Sequence, residues 1–582
     1  MRALVCAVVL CSLPAASAPV LKPPVADSPE VALCATSLRD GERARAEQVL
    51  GPLEALPLYR AELLVDPEDR VVHGRLLVRY PVRGPAPKTL ELRLTPNAFH
   101  PDAVSLESVK EAGKSLTFDA VAPDRVQVTL GPQAAKATSV ELDVAFSARV
   151  PRAAPAAAGA MGGLALSSQK TDHGAFVATA DALSLVGVLP QVPPLIGTQT
   201  MATPGGIGDF ALYEPGNYLV SVRVPHGFRV HASGNALGEV PEKDGELRFS
   251  FGAAAVRDFP ILVSRGDQTA KASLGTLTVE SSFAKADAKA GKQVLGYATA
   301  ALRQFERHFG PTPQATFRLV EAPLSGGAGG MEFPGLVTLS ASLYQGGAGL
   351  LGASGLAGLG GGVAGMGALF QTPQMDAVAN NLLEFSVAHE VAHQYFAGLV
   401  GSDPIRDPIV DESLAQDAAL LYLRWEHGAK AAEAVRQSQL VLPYQFYRMT
   451  GGEDGRAERP TTGFSSELEY AALVYAKAPL LHEAQRKLLG EDAYVAGIRA
   501  YVEAYRYRWA CAQCLTRTLA SLHPAEAEAL RALRQHWWRE AHGDQDLGRP
   551  DLSKMVKQLS GADLDPQSQK LLEQLLQGLG GP

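Results

Sequence analysis

The run His389-Glu390-Val391-Ala392-His393, with Glu412 further on, sets two imidazoles, a carboxylate between them and a second carboxylate downstream. On an α-helix, histidines four residues apart project from one face a turn apart, so both rings can converge on one ion. Zinc suits such donors, since it takes imidazole nitrogen and carboxylate oxygen in a four-coordinate site. Eighteen residues separate His393 from Glu412, the expected third ligand. Three protein ligands leave a fourth position for water, which describes a catalytic site rather than a closed structural one. Glu390 adjoins the first ligand and can reach that water, whose pKa falls to about 7 on zinc, so that a carboxylate can take its proton at neutral pH.

Two helices must hold these groups. The first has a start signal, Thr372 as N-cap with Pro373 at the first helical position. The second opens at Asp411-Glu412-Ser413-Leu414-Ala415. Its apolar residues Leu414, Ala418, Leu421 and Trp425 fall at i, i+4, i+7 and i+11, and Gly428 marks its stop. An antiparallel pair of this kind brings His389, His393 and Glu412 together. Without a metal, Glu412 would merely cap its helix.

Three stretches together make the chain resemble the aminopeptidase-N-like gluzincins, the zinc peptidases that also include leukotriene hydrolase. One is His389 to Val400 with Glu412 at the family's spacing. The second is Gly329-Gly330-Met331-Glu332-Phe333-Pro334-Gly335, similar to the family's Gly-x-Met-Glu-Asn exopeptidase motif. The third is Val474-Tyr475-Ala476-Lys477, similar to its Tyr-x-Lys-Gly segment. The likeness spans roughly residues 55 to 545. It implies His389, His393 and Glu412 as ligands of one zinc ion and Glu390 as general base. It also implies Tyr475 as the phenol that stabilises the oxyanion, a donor aimed where negative charge develops. By the same resemblance, Gly329, Gly330, Met331 and Glu332 form the substrate-binding segment. The Glu332 carboxylate would grip a free α-amino group, and the glycines would permit close backbone approach.

The chain departs from that pattern at several positions. Val410 replaces an aromatic, Asp411 an Asn, and Ser413-Leu414 a Gly-Phe. Ala478 replaces a Gly and is followed by Pro479, and Phe333 stands where Asn is usual. None removes a ligand, the base or the oxyanion donor. They bear on the shape of the specificity pocket.

Length and composition agree with a folded, multi-domain enzyme. The chain has 582 residues, 46% of them hydrophobic and 20% charged, which is ordinary for globular protein. A net charge of −8 and the lack of long basic runs argue against nucleic acid as a partner. Arg2, the apolar stretch Ala3 to Leu13 and the small residues Ala16-Ser17-Ala18 read as a signal peptide over residues 1–18, so the chain is expected to be exported to a periplasmic or extracellular space. That stretch is too short to span a bilayer, and no other segment reads as transmembrane. A lipid anchor at Cys11 is disfavoured, because Val9-Leu10 before it lacks the small residue such a site wants. With Cys6 and Cys11 in the leader, Cys511-Ala512-Gln513-Cys514 reads as a short-loop disulfide that leaves Cys34 odd.

The expected fold is multi-domain α+β. Residues 19–54 form a Pro/Ala-rich, then charged segment, read as loosely attached. Alternation at Tyr59, Ala61, Leu63, Val65 and again at Leu76, Val78, Tyr80 begins a β-rich domain over 55–268, which the family resemblance makes an antiparallel β-saddle. A thermolysin-like α/β catalytic domain follows over 269–515, containing a Gly-rich insertion at 345–369 that reads as flexible, with a lid over the cleft as the alternative. A short helical tail over 516–582 completes the chain. The expected activity is hydrolysis of N-terminal peptide bonds in peptides or proteins with a free N-terminus. A zinc endopeptidase or other hydrolase on this scaffold, or a non-catalytic binding protein retaining the fold, are the alternatives. Side-chain preference and oligomeric state are not legible.

Overall fold

The computed structural model describes residues 28–548 apart from 83–86, 133–137, 154–170, 197–198, 211, 326–327 and 347–372. The leader, Thr372, nearly all of the Gly-rich stretch and the helix expected near the C-terminus lie outside the described residues.

The β-rich part is built on an eight-stranded sheet. Its order is Asn235–Pro241, Glu246–Val256, Gly216–Pro225, Leu58–Asp66, Val71–Pro81, Ser139–Arg149, Val104–Glu111 and Lys114–Ser115. Pairing is antiparallel except where Leu58–Asp66 runs parallel to Gly216–Pro225. That exception departs from the purely antiparallel expectation, because the later strand enters the sheet beside the first from a distant part of the chain. Tyr59, Ala61, Leu63 and Val65 are buried while Arg60, Glu62 and Asp66 are exposed, as a period of two dictates. Asp66 Oδ1 then accepts from the amides of Glu68 and Asp69 (both 3.0 Å), closing the turn to the next strand. Strands of two smaller sheets share the core under this one, including Phe176, Leu183, Phe228 and Ile261 from one and Leu90, Leu92 and Val128 from the other.

The part that carries the HExxH helix centres on a five-stranded sheet ordered Gln268–Leu274, Leu277–Phe283, Thr316–Ala322, Leu336–Ser340, Gly330–Phe333. The hairpin at one side and the edge strand Gly330–Phe333 at the other are antiparallel, and the middle three strands are parallel. The long helix Ala288–Phe309 makes the crossover, and its buried Val294, Ala298, Ala301, Leu302, Phe305 and Phe309 follow the helical period. Helix Pro373–Ala392 packs across it. Tyr395, just beyond that helix, stacks edge-on to Phe309 (5.5 Å) and donates its hydroxyl to Gly310 O at 2.7 Å. A fully buried aromatic anchor of this kind fixes the end of the helix that carries the histidines.

Both ends of the described chain are more tightly built than the sequence suggests. Residues 28–56 are not loosely attached. They form helices Pro29–Ala35 and Glu42–Leu50, and Val31, Cys34, Ala46 and Leu53 lie in the apolar core around helix Ala288–Phe309. Glu42 also makes a buried ion pair with Arg506 at 3.0 Å. The apolar residues of this short stretch were too few to show periodicity beside its Pro and charged residues. After Lys477, helices Leu480–Leu489, Glu491–Tyr505 and Cys514–Leu522 follow, and Trp538 Nε1 donates to Ala478 O at 3.0 Å. The C-terminal helices described are thus packed against the same apolar core. Cys511 and Cys514 form a disulfide, and Cys34 is free and buried. No helix among the described residues is long and apolar enough to cross a membrane.

Candidate metal centre and substrate cleft

His389 and Glu390 lie in the last turn of helix Pro373–Ala392, and the His393 amide donates to His389 O at 3.3 Å, which carries the turn one residue further. Glu412 comes from the first turn of helix Ile409–His427, packed alongside. The three side chains converge. His389 Nε2 and His393 Nε2 are 3.1 Å apart, and Glu412 Oε2 is 3.4 Å and 3.5 Å from them. Donor atoms each about 2.0–2.1 Å from one zinc at tetrahedral angles stand about 3.3 Å apart, so the spacing fits that ion. The polar bookkeeping fits as well: Glu412 Oε2 is buried with no hydrogen-bond donor of its own. His393 Nδ1 lies 2.8 Å from Phe396 O, which holds the proton on that nitrogen and turns Nε2 toward the shared point.

The electrostatics describe a site built for positive charge. Burial alone would push Glu412 up, but the two imidazoles outweigh it and hold its carboxyl well below the usual range. Burial likewise opposes charge on His393, yet the carboxylates of Glu332, Glu412 and Glu390 hold it well above the usual imidazole range. Burial, with Glu332 and Glu412 adding to it, pushes Glu390 well above the carboxylate range. A dication at the shared point relieves these conflicts by supplying the charge the carboxylates face.

Glu390, Tyr475, Glu332, Gly329, Gly330 and Met331 border one cavity of about 280 Å³ with His389 and Glu412. On the edge strand, Gly330 and Glu332 alternate toward the cleft, while Met331 and Phe333 are buried in an apolar cluster with Val186, Leu262 and Leu336. Gly330 lies flat against Glu390: a Cβ there would fall 2.7 Å from Glu390 Cγ and overlap its carboxylate. Tyr475 sits in a π-helical stretch, Ala471–Lys477, and its hydroxyl donates to Glu412 Oε1. The π turn widens the helix by one residue, a distortion frequent at functional sites, though Gln437–Val441 and Gln535–Arg539 are π-helical as well. Lys477 is fully buried and faces away from the cleft, bonding Asp454 Oδ1, Gly455 O and Glu540 O at 2.8, 3.0 and 2.8 Å.

Several cleft residues were not singled out in the sequence. Gln394 clamps the turn after the edge strand, accepting from Gly335 N at 2.8 Å and donating to Phe333 O at 3.0 Å. Gln416 donates to Tyr475 O at 3.0 Å. Asp209 arrives from the β-rich part, at the end of Gly205-Gly206-Ile207-Gly208, with Oδ2 buried and unpartnered. Burial and the nearby Glu332 and Glu412 push its carboxyl well above the usual range. A Gly-rich turn ending in a carboxylate was the available signal, and it carries no periodicity to set it apart from an ordinary loop. Glu332 is pushed up to about 7 by burial and by Glu412 and Asp411, against the pull of His393. Asp411 donates nothing to the cleft; its Oδ2 accepts from Ser402 Oγ at 2.6 Å.

No protein-family model and no curated protein sequence matches the chain. Solved structures do. The M1 zinc metallopeptidase from Deinococcus radiodurans superposes with a TM-score of 0.56 at 17% identity, covering 85% of this chain and 97% of that one. A point mutant of it bound to a Tyr-Ser-Ala substrate gives 0.54 at 16% identity, with the same coverage. A two-domain M1 zinc metallopeptidase mutant bound to L-arginine gives 0.54 at 16%, covering 84% and 94%. The chain therefore has the fold of the M1 zinc metallopeptidases. The β-rich and helical parts described above match their two-domain architecture.

Proposed function

We propose that this chain is an exported zinc aminopeptidase acting on peptides with a free N-terminus. The observation that carries the reading is the convergence of three zinc donors in a cavity that also holds Glu390, Tyr475 and Glu332. Held by His389, His393 and Glu412, one zinc ion would supply Lewis acidity and an acidified water. Glu390 borders the same cavity and would accept the water's proton and return it to the leaving amine. The phenol of Tyr475, held in protonated form by burial and by Glu412, is a hydrogen-bond donor at neutral pH and can turn from Glu412 to the developing oxyanion. Glu332, with Asp209 bordering the same cavity, would present carboxylate to a substrate ammonium and set the register from the N-terminus.

The test is hydrolysis of free and N-acetylated peptides of one sequence, with and without chelator. Free peptides should be trimmed from the N-terminus, blocked ones spared, and chelator should stop turnover. Glu332→Ala should lower kcat/KM on free N-termini at least about tenfold, as expected for losing a charge-assisted contact. Equal cleavage of blocked peptides at internal bonds would point to an endopeptidase on the same scaffold. For export, protein recovered outside the cytoplasm should begin close to Pro19, and cytosolic protein retaining Met1-Arg2 would refute it.

A further inference from the structure

Away from the cleft, a second group of metal-type donors comes together among the described residues. One donor atom each of His536, Glu540 and His542 lies within 4.8 Å of the others, and none of the three has a part in the proposed reaction. A tight reversal of the chain gathers them. Helix Ala527–Arg534 runs into the π turn Gln535–Arg539, which carries His536. The short helix Gly543–Asp546 then folds back beside it, so that Asp546 Oδ2 lies 2.7 Å from His536 Nε2. The rings of His536 and His542 stack face to face, with 4.4 Å between centroids and 4° between planes.

The backbone of the reversal is pinned from beneath. Lys477 Nζ donates to Glu540 O at 2.8 Å, Trp538 Nε1 to Ala478 O at 3.0 Å, and Gly543 N to Asp454 Oδ2 at 2.8 Å. Each of the three side chains also has a partner outside the group. Asp546 accepts from His536 Nε2, Gln545 Oε1 accepts from His542 Nδ1 at 3.1 Å, and Gln535 Nε2 donates to Glu540 Oε1 at 3.0 Å. These contacts set the tautomer of each neutral imidazole and leave a lone pair on its second nitrogen. His542 Nε2 then faces Glu540 Oε2 at 3.0 Å, two acceptors that need a proton or a metal cation between them. One outer partner behind each ligand is how metal sites orient their imidazoles and carboxylates.

We propose that His536, Glu540 and His542 form a second metal site, for a divalent ion of the zinc, nickel or copper class, which ties the π turn to the helix that follows it. Two imidazoles and a carboxylate are a donor set those ions take, whereas magnesium and calcium take oxygen. Ligand atoms on one zinc stand about 3.3 Å apart, so these donors close by at most about 1.5 Å on binding. Their side chains have the room: His536 and His542 are 36% and 34% exposed. The same exposure lets the ion exchange with solvent, so this site empties on dialysis. The proposal rests on its own residues and does not depend on the aminopeptidase reading.

The test is calorimetric titration of Zn2+ into zinc-loaded, dialysed protein. It compares the parent with His536→Gln, His542→Gln and the two together, and with His226→Gln as an exposed histidine elsewhere. The parent and His226→Gln should bind one ion more than the paired variant, and either single variant should bind that ion at least tenfold more weakly. Asp546→Asn removes only an outer partner and should weaken it about tenfold. Glu540→Gln should give the same loss as the single histidine variants, which keeps the test open should one of those misfold. Added zinc should also slow hydrogen exchange of the amides of residues 535–546 in the parent and leave the paired variant unchanged. Equal numbers of ions in the parent and the paired variant overturn the site. Binding that leaves exchange at 535–546 unaltered overturns the tie between the π turn and the helix.

Discussion

Gly330→Ala tests the packing of the cleft more sharply than replacing any of its charged groups. The added methyl would stand 2.7 Å from Glu390 Cγ and overlap the Glu390 carboxylate. Unstrained contact between such carbon atoms begins at about 3.5 Å, so one of the two must move by roughly 1 Å. Gly330 is tied into the edge strand by its pairing with Leu339, so the side chain is the part that gives. Displacing a catalytic group by about 1 Å costs roughly 10²-fold in rate. At Gly329 the same methyl would meet Ser386 Oγ at 3.7 Å, an ordinary contact. Turnover of a fluorogenic amino-acid amide should therefore fall about 10²-fold in Gly330→Ala, and at least tenfold less in Gly329→Ala. Elemental analysis should show zinc retained in both, and circular dichroism an unchanged fold. Equal losses at the two glycines, or a Gly330→Ala protein with more than half the parent rate, would falsify the claim that Glu390 is held by the flat face of Gly330.

On the proposed assignment the parent should hold one zinc ion, and His389→Ala, His393→Ala and Glu412→Ala should each lose it on dialysis, since each removes one of three donors; stoichiometric metal in all three would count against the site. Glu390→Gln should keep zinc and lose nearly all turnover, and Tyr475→Phe should keep zinc and lower kcat by about 10²-fold; near-parental rates in both would place the chemistry elsewhere. Asp258, buried in the β-rich part, is pushed up to about 7 from 3.8 by burial. An acid whose folded pKa is raised binds its proton more tightly when folded, so its charging costs stability as pH rises from about 4 to 7. Asp258→Asn should therefore raise Tm relative to the parent at pH 8 and do so much less at pH 4, and a pH-independent difference in thermal melts would refute this.

The residues that could be read in advance are those whose function is expressed as a period. His389 and His393 are spaced by one helical turn, and Leu414, Ala418 and Leu421 mark the helix that carries Glu412 in its first turn. Tyr59 to Val65 announce their strand by alternation. What could not be read depends on chain segments meeting across the fold. Asp209 reaches the cleft from a loop more than a hundred residues before Glu332, and Gln394 acts through two backbone groups at the end of the edge strand and the turn after it. The π turn at Tyr475 leaves no mark in composition, because one extra residue per turn alters hydrogen bonding and not residue type. The parallel pairing of Leu58–Asp66 with Gly216–Pro225 is likewise a property of topology, since either strand alone carries the same alternation.

The helices at residues 29–50 have a bearing on how the molecule is made. Their partners are distributed over the whole chain: Cys34 Sγ reaches Tyr218 O, Arg39 N donates to Pro313 O at 2.9 Å, and Glu42 pairs with Arg506. Residues 29–50 thus wait for residues made several hundred positions later before their docking surface exists. Contacts separated by 464 residues form only after a very long loop is closed, which places this docking among the late steps of folding. Until then Val31, Ala46 and Leu53 stay exposed, and the core beside helix Ala288–Phe309 remains open along one side. This pair of short helices is in that sense the closing piece of the fold.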